Sequence, residues 1–205
     1  MDRTEPAAGM WDTVPAGAPR RLLIAAVDSF AELGYHGTST RHIAAGAGMS
    51  PAALYVHYRT KAELLFQITM IVHESVLAAL LDAVDGVRAR PRRMRALAYA
   101  FARWHARHHK AARVIQHELA ELPPEHFEQA AALRRRTARL FLDEVRDGVA
   151  AGEFDVADVP GTARAVMSLG IDVARWYRPE GPRTPEEIGA LCAHLTLRML
   201  GAAAE

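Results

Sequence analysis

The sequence contains very little cysteine and very little lysine. Cys192 is the single cysteine among 205 residues, so no intramolecular disulfide can form, as expected in a reducing compartment. Its apolar helical surroundings predict a buried, unreactive thiol. Lys61 and Lys110 are the only lysines, and arginine supplies the other basic residues. The formal net charge is only +1, so any surface that binds nucleic acid must be local.

Long apolar runs, strand patterns and enzyme motifs are also lacking. No run reaches the ~20 apolar residues of a membrane span, and the N-terminus has no signal-peptide pattern, so we expect a soluble, cytoplasmic protein that does not engage a membrane. A phosphate-binding loop, a nucleophile elbow and a metal-hydrolase motif are all missing. Glu118 and Glu121 beside His117 resemble acid–base groups, but such neighbours are common on helices. We predict that the chain is not an enzyme and needs no cofactor, with a small α-helical enzyme as the alternative.

One stretch, residues 38–58, carries two helix start signals separated by a glycine turn. Thr38 or Ser39 provides an N-cap hydroxyl for the first helix. Gly48 suits the left-handed conformation of a sharp turn. Ser50-Pro51 then begins the second helix with a hydroxyl cap and a proline at its first position. Two short helices joined by a tight turn are therefore expected.

The second of these helices has one apolar face and one outward face. Leu54 and Tyr58 are four residues apart and can pack inward. The residues left to face outward or sideways are Ala52, Ala53, Tyr55, Val56 and His57. This arrangement is typical of a helix-turn-helix, whose second helix enters the DNA major groove, although an ordinary corner between two helices is the alternative.

The residues that flank this stretch extend the pattern. An amphipathic helix ending in FAELGY precedes TSTRHIA, AGMS and LYVHY, and TKAELL follows. This ordered set, from Leu22 to Leu65, resembles the DNA-binding domain of the TetR family of bacterial transcriptional regulators. The resemblance implies a ligand-responsive repressor that binds a palindromic operator in double-stranded DNA as a homodimer.

The resemblance also implies the DNA contacts. Hydroxyl groups of Thr40 and Ser50 are expected to donate to phosphates, Tyr55 and His57 to contact the backbone, and Lys61 to pair with a phosphate. Arg41 can reach a base edge, with guanine its best partner. Pro51, Ala52 and Ala53 have no side-chain donors, so we expect contact with thymine methyl groups and readout of DNA shape there.

The rest of the pattern predicts an all-α protein of about nine helices. Residues 1–18 contain two prolines and no periodicity, which predicts a disordered arm. Residues 19–66 are the predicted helix-turn-helix domain, and residues 67–205 a helical domain for effector binding and dimerisation. In the family the last two helices of each subunit form the dimer interface. The candidate interface residues are Val166, Leu169, Val173, Leu191, Leu195 and Leu197.

The effector is predicted only in outline. The segment from Asp172 to Gly181 resembles part of actinobacterial regulators of lipid and sterol breakdown, some of which respond to acyl-CoA thioesters. An acyl-CoA would need an apolar cavity for its chain and arginines for its phosphates. The candidate effector-binding residues are Met70, Phe101, Trp104, His105, Met167 and Trp176.

A histidine cluster leaves one further alternative. His105, His108 and His109 have the spacing at which two histidines on a helix can share a metal ion. No cysteine or carboxylate stands beside them to complete a ligand set. We therefore predict no metal site, and a metal-responsive regulator stays as the alternative.

Overall fold

The computed structural model describes residues 9–202, and residues 1–8 and 203–205 lie outside the described part. The described residues form nine α-helices and a 3₁₀ turn at Leu119–Glu121, without strands, which confirms the all-α prediction. The helices are α1 (Ala18–Gly37), α2 (Thr40–Gly46), α3 (Pro51–His57), α4 (Lys61–Val84), α5 (Arg90–Arg107), α6 (His109–Glu118), α7 (Pro124–Ala150), α8 (Val159–Trp176) and α9 (Pro185–Met199).

The segment before α1 differs from the predicted disordered arm. Residues 1–8 of that arm lie outside the described residues, but Met10, Trp11 and Val14 are buried. The Arg20 guanidinium donates to the Val14 carbonyl oxygen at 2.7 Å, which holds the segment to the start of α1. The burial of these three apolar side chains offsets the entropy cost of ordering the segment. The composition of the segment did not predict this burial.

The chain forms two compact units that are not continuous in sequence. The first comprises Met1–Ser75 and Lys110–Ala131, and the second comprises Val76–His109 and Ala132–Glu205. The sequence analysis divided the chain once, at residue 66. It did not predict that α6 and the first turns of α7 pack with the helix-turn-helix. Lys110 illustrates this packing, since its ammonium donates to an Asp28 carboxylate oxygen on α1 at 3.1 Å.

In the second unit, α5, α8 and α9 pack through small and apolar side chains. Their shared core consists of Ala102, Ala106, Val173, Tyr177, Ile188 and Cys192. Gly170 is required by close packing, because an ideal Cβ there would lie 2.5 Å from Cδ1 of Phe101. Cys192 is buried, as predicted, and its burial raises the pKa of the thiol.

Helix α4 is unusually apolar. Among the described residues it is the one helix that is long and apolar enough to cross a membrane by length and composition. Core helices of soluble proteins share both properties, and 56% of its most apolar window is buried within the structure. Its fully buried side chains include those of Leu64, Leu65, Ile68 and Leu80. The burial of these side chains accounts for the apolar composition of the helix.

Candidate nucleic-acid interface

Helix α2 begins with a complete capping box. Backbone N–H of His42 donates to Ser39 Oγ at 3.2 Å, and backbone N–H of Ser39 donates to His42 Nδ1 at 3.4 Å. Ser39 is therefore the cap. The hydroxyl of Thr38 instead lies 2.7 Å from the Gly34 carbonyl oxygen and 3.0 Å from that of Ser29. Thr38 therefore anchors the residues just before α2 to α1. The sequence did not predict this role.

The turn between the two short helices closes as a Schellman motif. Gly48 has φ 66°, its N–H donates to the Ala45 carbonyl oxygen, and the Met49 N–H donates to that of Ala44 at 2.8 Å. Ser50 then caps α3, where its Oγ accepts from the Ala53 N–H at 3.2 Å. Because Ser50 Oγ serves only as an acceptor in this bond, its own proton can point outward to a phosphate.

One face of α3 is buried and the other is in solvent. Leu54 is fully buried and Tyr58 is 8% exposed, which places both inward as predicted. The Tyr58 hydroxyl lies 3.4 Å from the Pro19 carbonyl oxygen, and burial raises the pKa of this phenol, with Glu63 adding to the effect. On the opposite face Tyr55 is 52% and Val56 is 79% exposed. The buried pair therefore fixes which side of α3 is presented outward.

The outward residues of α2 and α3 meet at a pair of hydroxyl groups. Thr40 Oγ1 lies 3.1 Å from Tyr55 Oη, and either atom can donate. Arg41 is exposed on α2, and Pro51, Ala52 and His57 are exposed on α3. Thr40 and Tyr55, which are 15 residues apart in sequence, thus form one polar patch that can present two hydroxyl groups to a phosphate.

Lys61 is engaged with backbone carbonyl groups of the same unit. Its Nζ donates to the carbonyl oxygens of Tyr35 at 2.5 Å and Thr38 at 2.9 Å, and lies 4.1 Å from the centroid of the Tyr35 ring. These bonds use two of the three ammonium N–H groups. The predicted ion pair with a phosphate would have to use the third, because the lysine also holds the C-terminal end of α1.

Comparisons with known proteins agree with this geometry. Residues 22–68 match the family profile described as bacterial regulatory proteins, tetR family, and residues 90–200 match the profile described as tetracyclin repressor-like, C-terminal domain. Together the two matches cover most of the chain, and the residues between them, 69–89, contain most of α4. This chain belongs to the TetR family.

Individual TetR-family proteins are similar over nearly the whole length. A solved TetR-family regulatory protein from Rhodococcus RHA1 is 42% identical, with a TM-score of 0.86, over 93% of this chain and all of that one. The transcriptional repressor KstR2 of Mycobacterium tuberculosis H37Rv is 28% identical over 170 residues, which are 82% of this chain and 85% of KstR2. The structure of AibR in complex with isovaleryl coenzyme A and operator DNA shares the fold, with a TM-score of 0.80 at 23% identity.

The residues proposed from sequence for the effector site of this TetR-family regulator differ in burial. Phe101, Trp104 and His105 are all buried on α5. The ring centroid of Phe101 lies 4.4 Å from that of His105 and 5.1 Å from that of Phe141. Trp176 is 47% exposed, which does not suit the lining of an enclosed cavity. Met70 and Met167 are half-buried, and Met70 belongs to the first compact unit.

The histidine cluster has bonding partners other than a metal. His105 Nδ1 lies 2.8 Å from the Phe101 carbonyl oxygen, and His109 Nδ1 lies 3.1 Å from that of Ala106. Burial lowers the pKa of both His105 and His108 to about 4, so these rings are neutral near pH 7. Within residues 9–202 no group of three or more histidine, cysteine or acidic side chains is arranged to hold a metal. The metal-responsive alternative has no support in this geometry.

Proposed function

We propose that this TetR-family protein is a cytoplasmic, homodimeric repressor of a palindromic operator, released by a small apolar or acyl-CoA-like effector. In this proposal residues 19–66 bind DNA, and residues 67–205 bind the effector and form the dimer. The observation that carries it is the outward face of α2 and α3, on which the Thr40–Tyr55 hydroxyl pair stands beside exposed Arg41. The proposed DNA contacts are Thr40, Arg41, Ser50, Pro51, Ala52, Tyr55, His57 and Lys61.

The proposed contacts divide into two kinds. Thr40, Ser50, Tyr55, His57 and Lys61 are proposed to bind phosphates and so fix the register of α3 on the duplex. Arg41, Pro51 and Ala52 are proposed to read bases, with a guanine for the guanidinium and thymine methyl groups for the apolar pair. Since α3 has only seven residues, one copy reads too few base pairs for useful specificity.

Selection of bound duplexes from a random pool tests the function. We expect an enriched inverted repeat whose half-site centres lie about one helical turn, or a multiple of one, apart. The affinity for that repeat should fall steeply with salt, because several phosphates are neutralised. A protein that enriches no sequence and ignores duplex DNA at low ionic strength would contradict the proposal.

The dimer is proposed to form through α8 and α9. Large apolar side chains remain exposed on both helices, with Trp176 at 47%, Leu195 at 37% and Met199 at 41% exposure. Leu169, Leu191 and Leu197 are partly buried. Val166 and Val173, which the sequence analysis included, are buried within the second unit and have little surface to offer a partner. The proposed contact therefore centres on the exposed residues.

We expect Leu195→Glu to shift the protein from dimer to monomer, because burying an unpaired carboxylate in an apolar interface costs several kcal/mol. Analytical ultracentrifugation at micromolar concentration measures the shift. Leu81→Glu is a matched control, since Leu81 is 48% exposed on α4 and lies outside the proposed interface. An unchanged dimer in the Leu195 variant would remove α9 from the interface.

The effector is proposed to bind against the aromatic residues of α5. Phe101, Trp104 and His105 are buried, neutral and mostly apolar side chains. Met70, Met167 and Trp176 are retained from the sequence analysis, and of these Trp176 is too exposed to line an enclosed cavity. KstR2, a relative at 27% identity over 93% of this chain in its solved structure, is a ketosteroid transcriptional regulator, which favours a bulky apolar ligand. The fold takes an acyl-CoA in AibR.

Thermal unfolding with palmitoyl-CoA tests this effector class. A ligand at ~100 times its dissociation constant stabilises the folded state by about 2.7 kcal/mol, which corresponds to a rise in Tm of roughly 5–10 °C for a chain of this size. The same ligand should release the selected operator. Free CoA and palmitate are controls that lack the chain and the phosphates respectively. If palmitoyl-CoA changes neither Tm nor operator binding, acyl-CoA thioesters are not the effector.

A further inference from the structure

The backbone of Tyr35 is bonded on both sides by side chains from distant parts of the first unit. Its N–H donates to Oε1 of Glu118, at the end of α6, at 3.2 Å. Its carbonyl oxygen accepts from Nζ of Lys61, at the start of α4, at 2.5 Å. Glu118 and Lys61 thus act on consecutive peptide groups, and Tyr35 joins a carboxylate 83 residues away to an ammonium 26 residues away.

This bond occurs where the helical ladder of α1 is interrupted. Gly34 has φ 70° and ψ 169°, which are not helical values, so the N–H of Tyr35 cannot continue the regular pattern of bonds. A buried backbone donor without an acceptor is costly, and Glu118 supplies the acceptor. An ideal Cβ at position 34 would lie 3.7 Å from Glu118 Oε1, so the carboxylate sits directly against the kink.

The kink determines where the DNA-facing residues begin. Only three residues separate Tyr35 from Ser39, the cap of α2, and Thr40 follows immediately. Lys61 also bonds the Thr38 carbonyl oxygen, and the Thr38 hydroxyl bonds to the Gly34 carbonyl oxygen. The segment from the kink to the start of α2 is therefore held at both ends, by Glu118 at one and by Lys61 at the other.

We propose that Glu118 is a positioning residue for DNA binding, which sets the start of α2 through the backbone of Tyr35 and the ammonium of Lys61. Glu118 lies far outside the segment that matches the N-terminal family profile, residues 22–68. Two neighbouring contacts, His36 Nε2 to Glu121 Oε2 at 3.0 Å and Lys110 Nζ to Asp28 Oδ1 at 3.1 Å, join α1 to the 3₁₀ turn and to α6 respectively. In each pair at least one side chain is more than half exposed, so both pairs contribute little.

Three substitutions of Glu118 separate positioning from a general structural role. Glu118→Ala removes the acceptor and is expected to weaken operator affinity about 5- to 30-fold, the equivalent of about 1–2 kcal/mol for one part-buried hydrogen bond. Glu118→Gln keeps a carbonyl oxygen at the same reach and should bind within about threefold of the parent. Glu118→Asp keeps the charge but shortens the side chain, so it should behave like the alanine variant while preserving the fold.

Two further readouts identify the route of the effect. Amide hydrogen exchange at Tyr35, measured in the DNA-free protein, should be faster in the alanine and aspartate variants and unchanged in the glutamine variant. The slope of log affinity against log salt should stay at the parent value, because no phosphate contact is lost. Glu125→Ala, an exposed carboxylate in the first turn of α7, is the matched control and should change none of these quantities.

The proposal rests on the proposed function for its affinity readout but not for the exchange readout. If the parent binds no duplex, the proposed function fails, and Tyr35 exchange still tests the contact. If the parent binds its operator and the alanine and aspartate variants bind equally well, Glu118 does not position the DNA-binding surface. Loss of affinity in the glutamine variant as large as in the alanine variant would also overturn it, because the charge and not the acceptor would then matter.

Discussion

Alanine at both Tyr55 and Lys61 is expected to weaken operator binding by at least ~100-fold. A hydrogen bond to a charged group contributes about 1.5–3 kcal/mol, and the variant would remove the two proposed bonds to phosphates in each subunit of the proposed dimer. Tyr55 is 52% exposed and Leu54 beside it is fully buried, so the aromatic ring at 55 is not needed for the core. Fluorescence anisotropy with the selected operator measures the loss, and circular dichroism checks that helicity is kept.

The single variants resolve the two roles that Lys61 could play. Tyr55→Phe removes only the hydroxyl that meets Thr40, and about a tenfold loss is expected. Lys61→Ala should lower the salt slope by about one if the ammonium pairs with a phosphate. An unchanged slope with lower affinity would mean that Lys61 acts by holding the Tyr35 and Thr38 carbonyl groups. Lys110→Ala is the control, and equal retardation of DNA by the double variant and the parent would move the interface elsewhere.

Glu144→Ala is expected to lower Tm by about 10 °C. The Glu144 side chain is 5% exposed, and its Oε1 accepts from Arg93 Nε at 2.7 Å while its Oε2 accepts from Arg90 Nη1 at 3.0 Å. Removing the carboxylate leaves two guanidinium groups without this partner. The free energy of unfolding is therefore expected to fall by about 3 kcal/mol or more. For a chain of this size each kcal/mol lowers Tm by roughly 2–4 °C. Differential scanning calorimetry measures the change.

A neighbouring acidic residue provides the control for Glu144. Asp143 pairs with Arg146 at 2.8 Å, but both side chains are about half exposed, so Asp143→Ala should shift Tm by only about 1–2 °C. Arg93 also donates to the carbonyl oxygens of Val84 and Val87, and these bonds anchor the loop between α4 and α5 to the Arg93 guanidinium. Similar Tm values for the two variants would show that the buried pair adds no more than a surface pair.

The helix-turn-helix was predictable in detail because its signals are local. A cap hydroxyl, a glycine at φ 66° and a proline at the first helical turn each act within a few residues, so their positions in sequence define the helix ends. The inward pair Leu54 and Tyr58 follows from helical spacing alone. The choice between Thr38 and Ser39 as the cap required coordinates, because both hydroxyl groups satisfy the same sequence pattern.

The sequence was less informative where burial depends on distant partners. Periodicity identified Val166 and Val173 as apolar but not as core residues of their own subunit, and the composition of residues 9–17 did not reveal that Trp11 is buried. The effector residues have the same difficulty, since aromatic residues at helical spacing serve a core and a ligand site equally well. Only the exposed fraction of each side chain separates these cases.

By itself the sequence determined the helical class of this protein, the register of its two short helices and its membership of the TetR family, because periodicity, capping and motif order are properties of neighbouring residues. The tertiary structure alone decided that α6 packs with the DNA-binding helices, that Lys61 bonds the end of α1 and that Glu118 bonds the kink at Gly34. Contacts across 26 or 83 residues leave no periodic trace, since they depend on where the folded chain brings its backbone together.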